Sequence, residues 1–216
     1  MSDAAGPTPS IDELLTQAIE AANRGDLPTA QQLAGRVLAE DASNLDAGDL
    51  LSSDDLPSGE LRRLAIVFCD LVGSTALSGR LDPERYRRLV GRYKATCREI
   101  IQDRYDGHIA NVKGDGVLSI FGFPHAHEND AERAVRAAWE VTQAVRQLSE
   151  QVRQAVGVPL GVRAAVHRGL VYLDPEEDDI YGLAVNVAAR LQELADPGTV
   201  VISDEIRRLV AERFET

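Results

Sequence analysis

The sequence predicts an α+β protein with a ferredoxin-like core, in which helices cover one face of a sheet. The predicted elements of residues 61–216 follow the order β-α-β-β-α-β-(β)-α-β-α, which is typical of a split β-α-β arrangement. An unbroken apolar run, Leu64 to Cys69, is typical of a strand buried on both faces, although its periodicity alone would also fit a helix. Longer stretches between the strands repeat their apolar residues at helical spacing.

Length and charge narrow the classes of function. A chain of 216 residues holds one full domain and a small appendage. Of 35 acidic residues, 12 lie in residues 1–60, whereas only 2 of the 23 basic residues do, so the net charge of −12 belongs mostly to this segment. The sequence has no basic stripe of the kind that predicts nucleic-acid binding, and no apolar run long enough to predict a membrane span. The two cysteines form no disulfide framework, and a cytoplasmic location is predicted.

The N-terminal part is predicted to be an appendage of two helices. Residues 1–10 are expected to be a disordered lead, with Ser10 capping the first helix. A second helix is expected from about Pro28 to Ala39, so that residues 11–51 resemble a single tetratricopeptide helix pair. One such pair cannot bury its own apolar face, so we expect it to pack on the rest of the chain or on a second subunit. Residues 52–60, SSDDLPSGE, are the predicted linker.

The first strand of the body ends at Asp70, and Gly73, Ser74 and Thr75 follow at once. A carboxylate at the rim of a sheet, followed by small residues with free backbone N–H groups, suits a complex of Mg²⁺ with a polyphosphate. A buried strand with a capping aspartate fits this stretch equally well.

A helix is predicted from Asp82-Pro83 to about Tyr105, and a β-hairpin of HIANV and VLSIFG follows. Asp115 lies at the tip of that hairpin, where turns commonly carry an ordinary aspartate. If the hairpin lies beside the first strand, Asp70 and Asp115 meet and can hold two divalent ions.

The next helix is predicted over about Asn129 to Leu148, with Trp139 near its buried side. Two runs, Val162–Val166 and Leu170–Leu173, are predicted to form a second hairpin. Arg163 stands in an apolar strand, where an unpaired charge is costly unless an anion or an acid meets it.

A further helix is predicted from near Gly182, with Leu194 among its inward-facing residues. Asn186 and Arg190 are four residues apart and share another face of that helix. Thr199–Ile202 is predicted to be a strand, and the acids after it open a last helix.

Four segments in this order, FCDLVGST, KGDGVLSIFG, VRAAVHRG and IYGLAVNVAARLQ, resemble the catalytic domain of class III nucleotidyl cyclases. The resemblance covers roughly residues 61–214 and is closest to a bacterial branch whose cyclase domain precedes an ATPase region. It implies the class III cyclase type of ferredoxin-like sandwich. It also implies an adenylyl cyclase that converts ATP to 3′,5′-cyclic AMP and pyrophosphate, working as a head-to-tail homodimer with two Mg²⁺ or Mn²⁺ ions per active site.

The resemblance assigns a role to each matching residue. The side chains of Asp70 and Asp115 and the carbonyl of Leu71 match the family's metal ligands. Triphosphate contacts fall to the amides of Gly73, Ser74 and Thr75, with Arg163 on the terminal phosphates. Asn186 and Arg190 match the pair of residues that orients the ribose and stabilises charge on the α-phosphoryl group. In the family dimer, this pair comes from the partner subunit.

The base-reading positions depart from the family. Adenylyl cyclases usually carry Lys, and guanylyl cyclases Glu, where this sequence has Asn111; Asp179 matches the second reader of adenine. An Asn amide can donate to adenine N1, so ATP is the predicted substrate. The sequence ends at Thr216, before the final hairpin that carries a phosphate-binding Lys in the family. The alternatives are therefore a weak or inactive cyclase-homology module that binds nucleotide or dimerises, and, less favoured, a guanylyl cyclase.

Overall fold

A computed structural model describes residues 9–52, 59–156, 160–174 and 179–214. Most of the predicted lead and linker, residues 1–8 and 53–58, lies outside these ranges. The helices are α1 (Ile11–Asn23), α2 (Leu27–Glu40), α3 (Leu45–Ser52), α4 (Ser74–Ser78), α5 (Pro83–Arg98, continued by a π-helical segment, Glu99–Arg104), α6 (Asp130–Val156), α7 (Leu183–Glu193) and α8 (Asp204–Val210). The strands are β1 (Glu60–Val72), β2 (His108–Lys113), β3 (Gly116–Phe121), β4 (Gly161–Asp174), β5 (Asp179–Tyr181) and β6 (Val200–Ile202).

The strands form one sheet in the order β2-β3-β1-β4-β5, and β6 pairs in parallel with β4. The elements β1, α5, β2, β3, α6 and β4 form the predicted ferredoxin-like unit, with β1 between β3 and β4. β1 and β4 pair along their whole lengths, from Glu60 opposite Leu173 to Val72 opposite Gly161. The α+β fold class predicted from the sequence is therefore confirmed.

Side chains alternate between the two faces of β1. On one face, apolar residues pack with helices α5, α6 and α8; in β1 these are Ala65, Val67, Cys69 and Leu71. On the other face, Leu64 and Ile66 belong to a cluster with Ala184 and Ala188 of α7. Asp70 has the same register parity as Leu64 and Ile66, so it lies on the α7 face, near the end of the strand.

Helices α1 and α2 occupy the predicted segments, and a third helix, α3, follows that the sequence did not predict. Ser10 caps α1 as expected: its hydroxyl accepts the N–H of Glu13, whose carboxylate accepts the N–H of Ser10. The three helices share a core that includes Leu170 of β4, with Leu61 of β1 packed against it. We expected the N-terminal helices to pack either on the rest of the chain or on a second subunit. In the structure they pack on the sheet of the same chain.

Polar contacts also join the N-terminal helices to the sheet. The side-chain amide of Asn23 donates to the carbonyl of Leu61 at 2.7 Å and accepts its N–H at 2.8 Å. The carboxylate of Asp46 accepts the buried N–H of Leu170 at 2.7 Å and forms an ion pair with Arg63 at 2.8 Å. Arg63 also pairs with Asp12 at 2.7 Å, but the side chain of Asp12 is 81% exposed and that of Asp46 only 12%.

The predicted hairpin within residues 162–173 is wrong, because both runs belong to the single strand β4. Gly169 is not a turn residue; it lies opposite Leu64 in the β1–β4 ladder. A Cβ atom at Gly169 would lie 2.6 Å from the Cβ of Ala184 in α7. The glycine therefore lets a helix approach the strand, which is a second common reason for glycine in a strand. The hairpin in this region is formed by β4 and β5.

Two predicted core side chains are exposed. Trp139 is 54% exposed and Leu194 is 75% exposed. The buried stripe of α6 runs through Ala134, Ala138 and Val141, and Trp139 lies outside that stripe. Leu194 follows the last residue of α7. Within the described ranges, no helix is long and apolar enough to cross a membrane.

We predict that Asp46→Ala lowers the free energy of unfolding by about 3 kcal/mol, because the buried N–H of Leu170 loses its acceptor and Arg63 loses the less exposed of its two acidic partners. Asp12→Ala removes the exposed partner of the same arginine and should cost less than about 1 kcal/mol. Urea unfolding of both variants measures the difference. Equal losses would show that Asp46 is not the residue that fastens α3 to the sheet.

Candidate active site

Asp70 lies directly opposite Arg163 in the β1–β4 ladder. Opposite residues of neighbouring strands share a face and approach closely, and the guanidinium of Arg163 attracts the carboxylate of Asp70. The carboxylate also accepts the N–H of Leu71. The Nε of Arg163 is buried and has no hydrogen-bond partner among the described residues. Arg163 thus has an acid opposite it and one donor still unused.

Asp115 lies in the turn between β2 and β3, where Gly114 adopts a φ of +62°. β3 pairs with β1 so that Val117 stands opposite Cys69, which brings this turn to the end of β1 that carries Asp70. The Oδ2 atom of Asp115 is buried and has no hydrogen-bond partner among the described residues. The two carboxylates predicted from the sequence are therefore neighbours.

The surroundings of Asp70 disfavour its ionised form. Burial, and next the negative charge of Asp115, raise the pKa of Asp70 above its ordinary value. The N–H of Leu71 and the charge of Arg163 act in the opposite direction on that pKa, and the net direction is upward. The buried Oδ2 atom of Asp115 is unfavourable unless a donor or a cation meets it.

The acid pair fits a divalent cation of the Mg²⁺ or Mn²⁺ type. Such ions take oxygen ligands, and Mg²⁺ commonly uses one or two carboxylates together with substrate phosphates. In the described part of the chain, no group of three or more His, Cys, Asp and Glu side chains is placed to hold a metal. The unpaired oxygen of Asp115 and the carboxylate of Asp70 are the ligands that this end of the sheet offers.

The turn after β1 places backbone N–H groups near the acids. Gly73 has a φ of +82°, a conformation that favours glycine, and α4 begins at the next residue. The carbonyl of Gly73 accepts the N–H of Leu77 at 2.9 Å, which closes the first turn of α4. The N–H groups of Ser74 and Thr75 therefore belong to the start of a helix, where they have no acceptor within it.

Asn186 and Arg190 are both exposed on α7, while Ala184 and Ala188 of the same helix are buried against the sheet. Neither of the two polar side chains forms a hydrogen bond or ion pair with another described residue. A single chain therefore gathers Asp70, Asp115 and Arg163, and it leaves Asn186 and Arg190 facing solvent.

The two predicted base readers are placed by their backbones alone. Asn111 of β2 pairs with Leu118 of β3, which pairs with Phe68 of β1, so Asn111 lies in the cross-strand row two residues before Asp70. Asp179 begins β5, opposite Asp174 of β4. The side chains of Asn111, Asp179 and Thr75 lie outside the described part of the structure.

One contact to α7 was not predicted from the sequence. The carboxylate of Asp49, in α3, accepts the backbone N–H of Leu183, the first residue of α7. Gly182 is the feature of the sequence that could have indicated such a contact. A helix that begins directly after glycine has no capping side chain at that position, so an acceptor from elsewhere can take its place.

Comparison with known proteins gives the family. Residues 56–216 match the family model of the adenylate and guanylate cyclase catalytic domain. A curated relative, "Putative adenylate cyclase 3" of Rhizobium meliloti (strain 1021), is 34% identical over 155 residues, which cover 71% of this chain and 24% of that protein. The chain thus spans 16% to 27% of the length of such curated relatives.

Two solved structures share the fold. The adenylyl cyclase CyaB from P. aeruginosa matches with a TM-score of 0.69 and 27% identity, over 74% of this chain and 85% of that one. The guanylyl cyclase Cya2 matches with a TM-score of 0.67 and 27% identity, over 73% of this chain and 82% of that one. The family match begins just before the strand that carries Asp70 and includes the acid pair and α7. The chain belongs to the class III nucleotidyl cyclases, the family of adenylate and guanylate cyclase catalytic domains.

Proposed function

We propose that this domain is an adenylyl cyclase that converts ATP to 3′,5′-cyclic AMP and pyrophosphate. The observation that carries the proposal is the pair Asp70 and Asp115 at the end of β1, with Arg163 opposite. Asp115 has an unused buried acceptor, and Arg163 has an unused buried donor. A nucleoside triphosphate with its cations would meet both needs: the cations would face the carboxylate of Asp115, and the phosphate oxygens would face the guanidinium of Arg163.

Two divalent cations, Mg²⁺ or Mn²⁺, would be held by Asp70, Asp115 and the carbonyl of Leu71. When bound, such ions favour ionisation of the ribose 3′-hydroxyl and neutralise the leaving pyrophosphate. The N–H groups of Gly73, Ser74 and Thr75 bind the triphosphate from the start of α4. Arg163 binds the terminal phosphates through the donor that has no partner in the protein.

The reaction is an intramolecular displacement at phosphorus. The ribose 3′-oxygen forms a bond to the α-phosphorus, the bond from that phosphorus to the oxygen bridging to the β-phosphate breaks, and the hydroxyl proton is released to solvent. Charge grows on the α-phosphoryl oxygens and on the leaving group as this happens. A guanidinium beside the α-phosphoryl group lowers the barrier because it is already oriented there.

That guanidinium is Arg190, and Asn186 orients the ribose beside it. Both are exposed and without partners on the described surface of α7, so we place them opposite the acid pair of a second subunit. The active unit is then a head-to-tail homodimer with two composite sites, each with metal ligands from one chain and α7 from the other. Exposure of these two side chains in a single chain supports this arrangement.

ATP is the proposed substrate because both reader positions suit adenine. Asp179 can accept from the adenine amino group, and the amide of Asn111 can donate to N1. Among the similar proteins, one relative is named a putative adenylate cyclase and CyaB is an adenylyl cyclase, whereas Cya2 is a guanylyl cyclase. A nucleotide-binding module with weak turnover is the second candidate, because Asn111 stands where adenylyl cyclases usually carry Lys.

We predict that the protein forms cyclic AMP from ATP with Mg²⁺ or Mn²⁺, and that Asp115→Asn lowers kcat by about 100-fold or more, because the amide cannot replace an anionic ligand. Product analysis by liquid chromatography, with ATP and GTP supplied in turn, measures this. Asp106→Asn changes an exposed loop acid outside the site and serves as the control. Nucleotide binding without cyclic product would favour the second candidate; cyclic GMP as the main product would favour a guanylyl cyclase.

We predict that Asp70→Asn raises the melting temperature of the metal-free protein by about 2–4 °C. A carboxyl whose pKa is raised on folding lowers the free energy of unfolding at every pH at which it is ionised in the folded protein. This loss of stability is therefore present near neutral pH, and it disappears as the pH falls through the raised pKa. Mg²⁺ should stabilise the wild type and not the variant.

Asp26→Asn is the matched control for Asp70→Asn. Asp26 caps α2, and hydrogen bonds from Thr29 lower its pKa, so its charge favours folding and the variant should gain nothing. A metal-free Asp70→Asn protein that melts at or below the wild-type temperature would contradict the repulsion between the two acids.

We predict that base selection is loose and that Asn111→Lys raises the ATP/GTP ratio of kcat/KM by about tenfold, because an ammonium donates to adenine more strongly than a neutral amide. Steady-state kinetics with both nucleotides measure the ratio. Lys94→Asn, on α5, is a control substitution between the same residue types. A wild-type preference for GTP, or a ratio that Asn111→Lys does not change, would place the base reader elsewhere.

A further inference from the structure

Helix α7 begins without a capping side chain of its own. Its N-cap is Gly182, with a φ of +141°, and no side chain there can accept an N–H of the first turn. A Cβ atom at Gly182 would lie 2.9 Å from the carbonyl oxygen of Leu170, so the usual capping residues do not fit. An acceptor for the first turn of α7 therefore comes from solvent or from another element.

Asp49 of α3 provides that acceptor. Its carboxylate accepts the N–H of Leu183, and α3 packs directly on α7. A negative charge at the N-terminus of a helix is also favoured by the helix dipole. Burial raises the pKa of Asp49, and the hydrogen bond from Leu183 opposes that rise, so this acid is half-buried in its contact and not a freely solvated surface group.

Helix α3 is itself fixed to the sheet one turn earlier. Asp46 binds the N–H of Leu170 in β4 and pairs with Arg63 in β1. Gly169, next to Leu170, is the residue that lets Ala184 of α7 approach β4. Two acids three residues apart in α3 therefore tie together the strand pair and the first turn of α7.

We propose that Asp49 is a positioning residue. By holding the N-terminus of α7, helix α3 sets the position of Asn186 and Arg190 for catalysis. The inference rests on the proposed function of those two residues. Asn186 lies one turn after Leu183, so a tilt or fraying of that turn displaces it directly. Displacements of about 1 Å in a catalytic group can cost orders of magnitude in rate. On this account, helix α3 positions catalytic side chains through its contacts with α7 and β4.

The first test compares Asp49→Ala with Asp26→Ala in the full chain. Both remove the acid that caps a helix, and Asp26 caps α2, away from α7. We expect Asp49→Ala to lower kcat about tenfold while KM for ATP changes less than about twofold, because Arg190 acts on the transition state. Asp26→Ala should lower the melting temperature similarly and leave kcat unchanged. Asp49→Asn keeps an acceptor oxygen, and so keeps the fold, and should restore most of kcat.

The second test identifies which half of the composite site is impaired. Mixing Asp70→Ala with Arg190→Ala should restore activity, since one site of the heterodimer is then intact. A mixture of Asp49→Ala with Asp70→Ala should regain as much activity as the first mixture. Its working site takes the acid pair from the Asp49→Ala chain and an undisturbed α7 from the Asp70→Ala chain. Mixed with Arg190→Ala, the Asp49→Ala chain should stay impaired, because the one complete site uses its own displaced α7.

The outcomes separate the two proposals. No recovery from Asp70→Ala with Arg190→Ala, in a mixture shown to exchange subunits, overturns the head-to-tail site and this inference with it. Recovery there, combined with equal activity of Asp49→Ala in both mixtures, overturns the positioning role alone. Equal kcat losses in Asp49→Ala and Asp26→Ala would also overturn it, since the effect would then be a general loss of stability.

Discussion

The antiparallel pairing of β1 with β4 is the constraint on which the rest of the structure depends. At one end of this ladder Asp70 faces Arg163, and toward the other end Arg63 faces Leu170, where the N-terminal helices pack. A slip of one residue would move Asp70 to the opposite face of the sheet and place apolar side chains where the acid stands. The apolar alternation in both strands prevents such a slip, because one face packs on α5 and α6 and the other on α7.

The candidate site holds opposite charges whose hydrogen-bonding capacity is not used within the described chain. Asp115 keeps a buried acceptor without a donor, and Arg163 keeps a buried donor without an acceptor. Each unmet group costs free energy in a protein interior, and burial, followed by the charge of Asp115, raises the pKa of Asp70. A metal–triphosphate complex would relieve both, since it brings cations to the acids and phosphate oxygens to the arginine.

The sequence predicted the sheet core and its acid pair because those features are local. Asp70 follows an unbroken apolar run, and Asp115 lies between two glycines in a hairpin turn, so each position is visible within a few residues. The break between the runs Val162–Val166 and Leu170–Leu173 was misinterpreted as a hairpin turn, because the reason for Gly169, its close approach to Ala184, lies across the fold. Helix α3 was missed because LDAGDLLS is short and contains glycine, and it depends on tertiary contacts made by Asp46 and Asp49. The proposed roles of Asn186 and Arg190 came only from family resemblance, since neither side chain pairs with another residue in the described ranges.

The central claim is that Asp70 and Asp115 hold the cations and that α7 of a second chain completes the site. The most direct measurement is anomalous diffraction from Mn²⁺ in crystals of the protein with a non-cyclisable ATP analogue. The account predicts anomalous peaks within about 2.0–2.3 Å of carboxylate oxygens of both acids, with Arg190 of the partner subunit at the α-phosphate. Manganese bound away from these two carboxylates, or an α-phosphate contacted by Arg190 of the same chain, would contradict it.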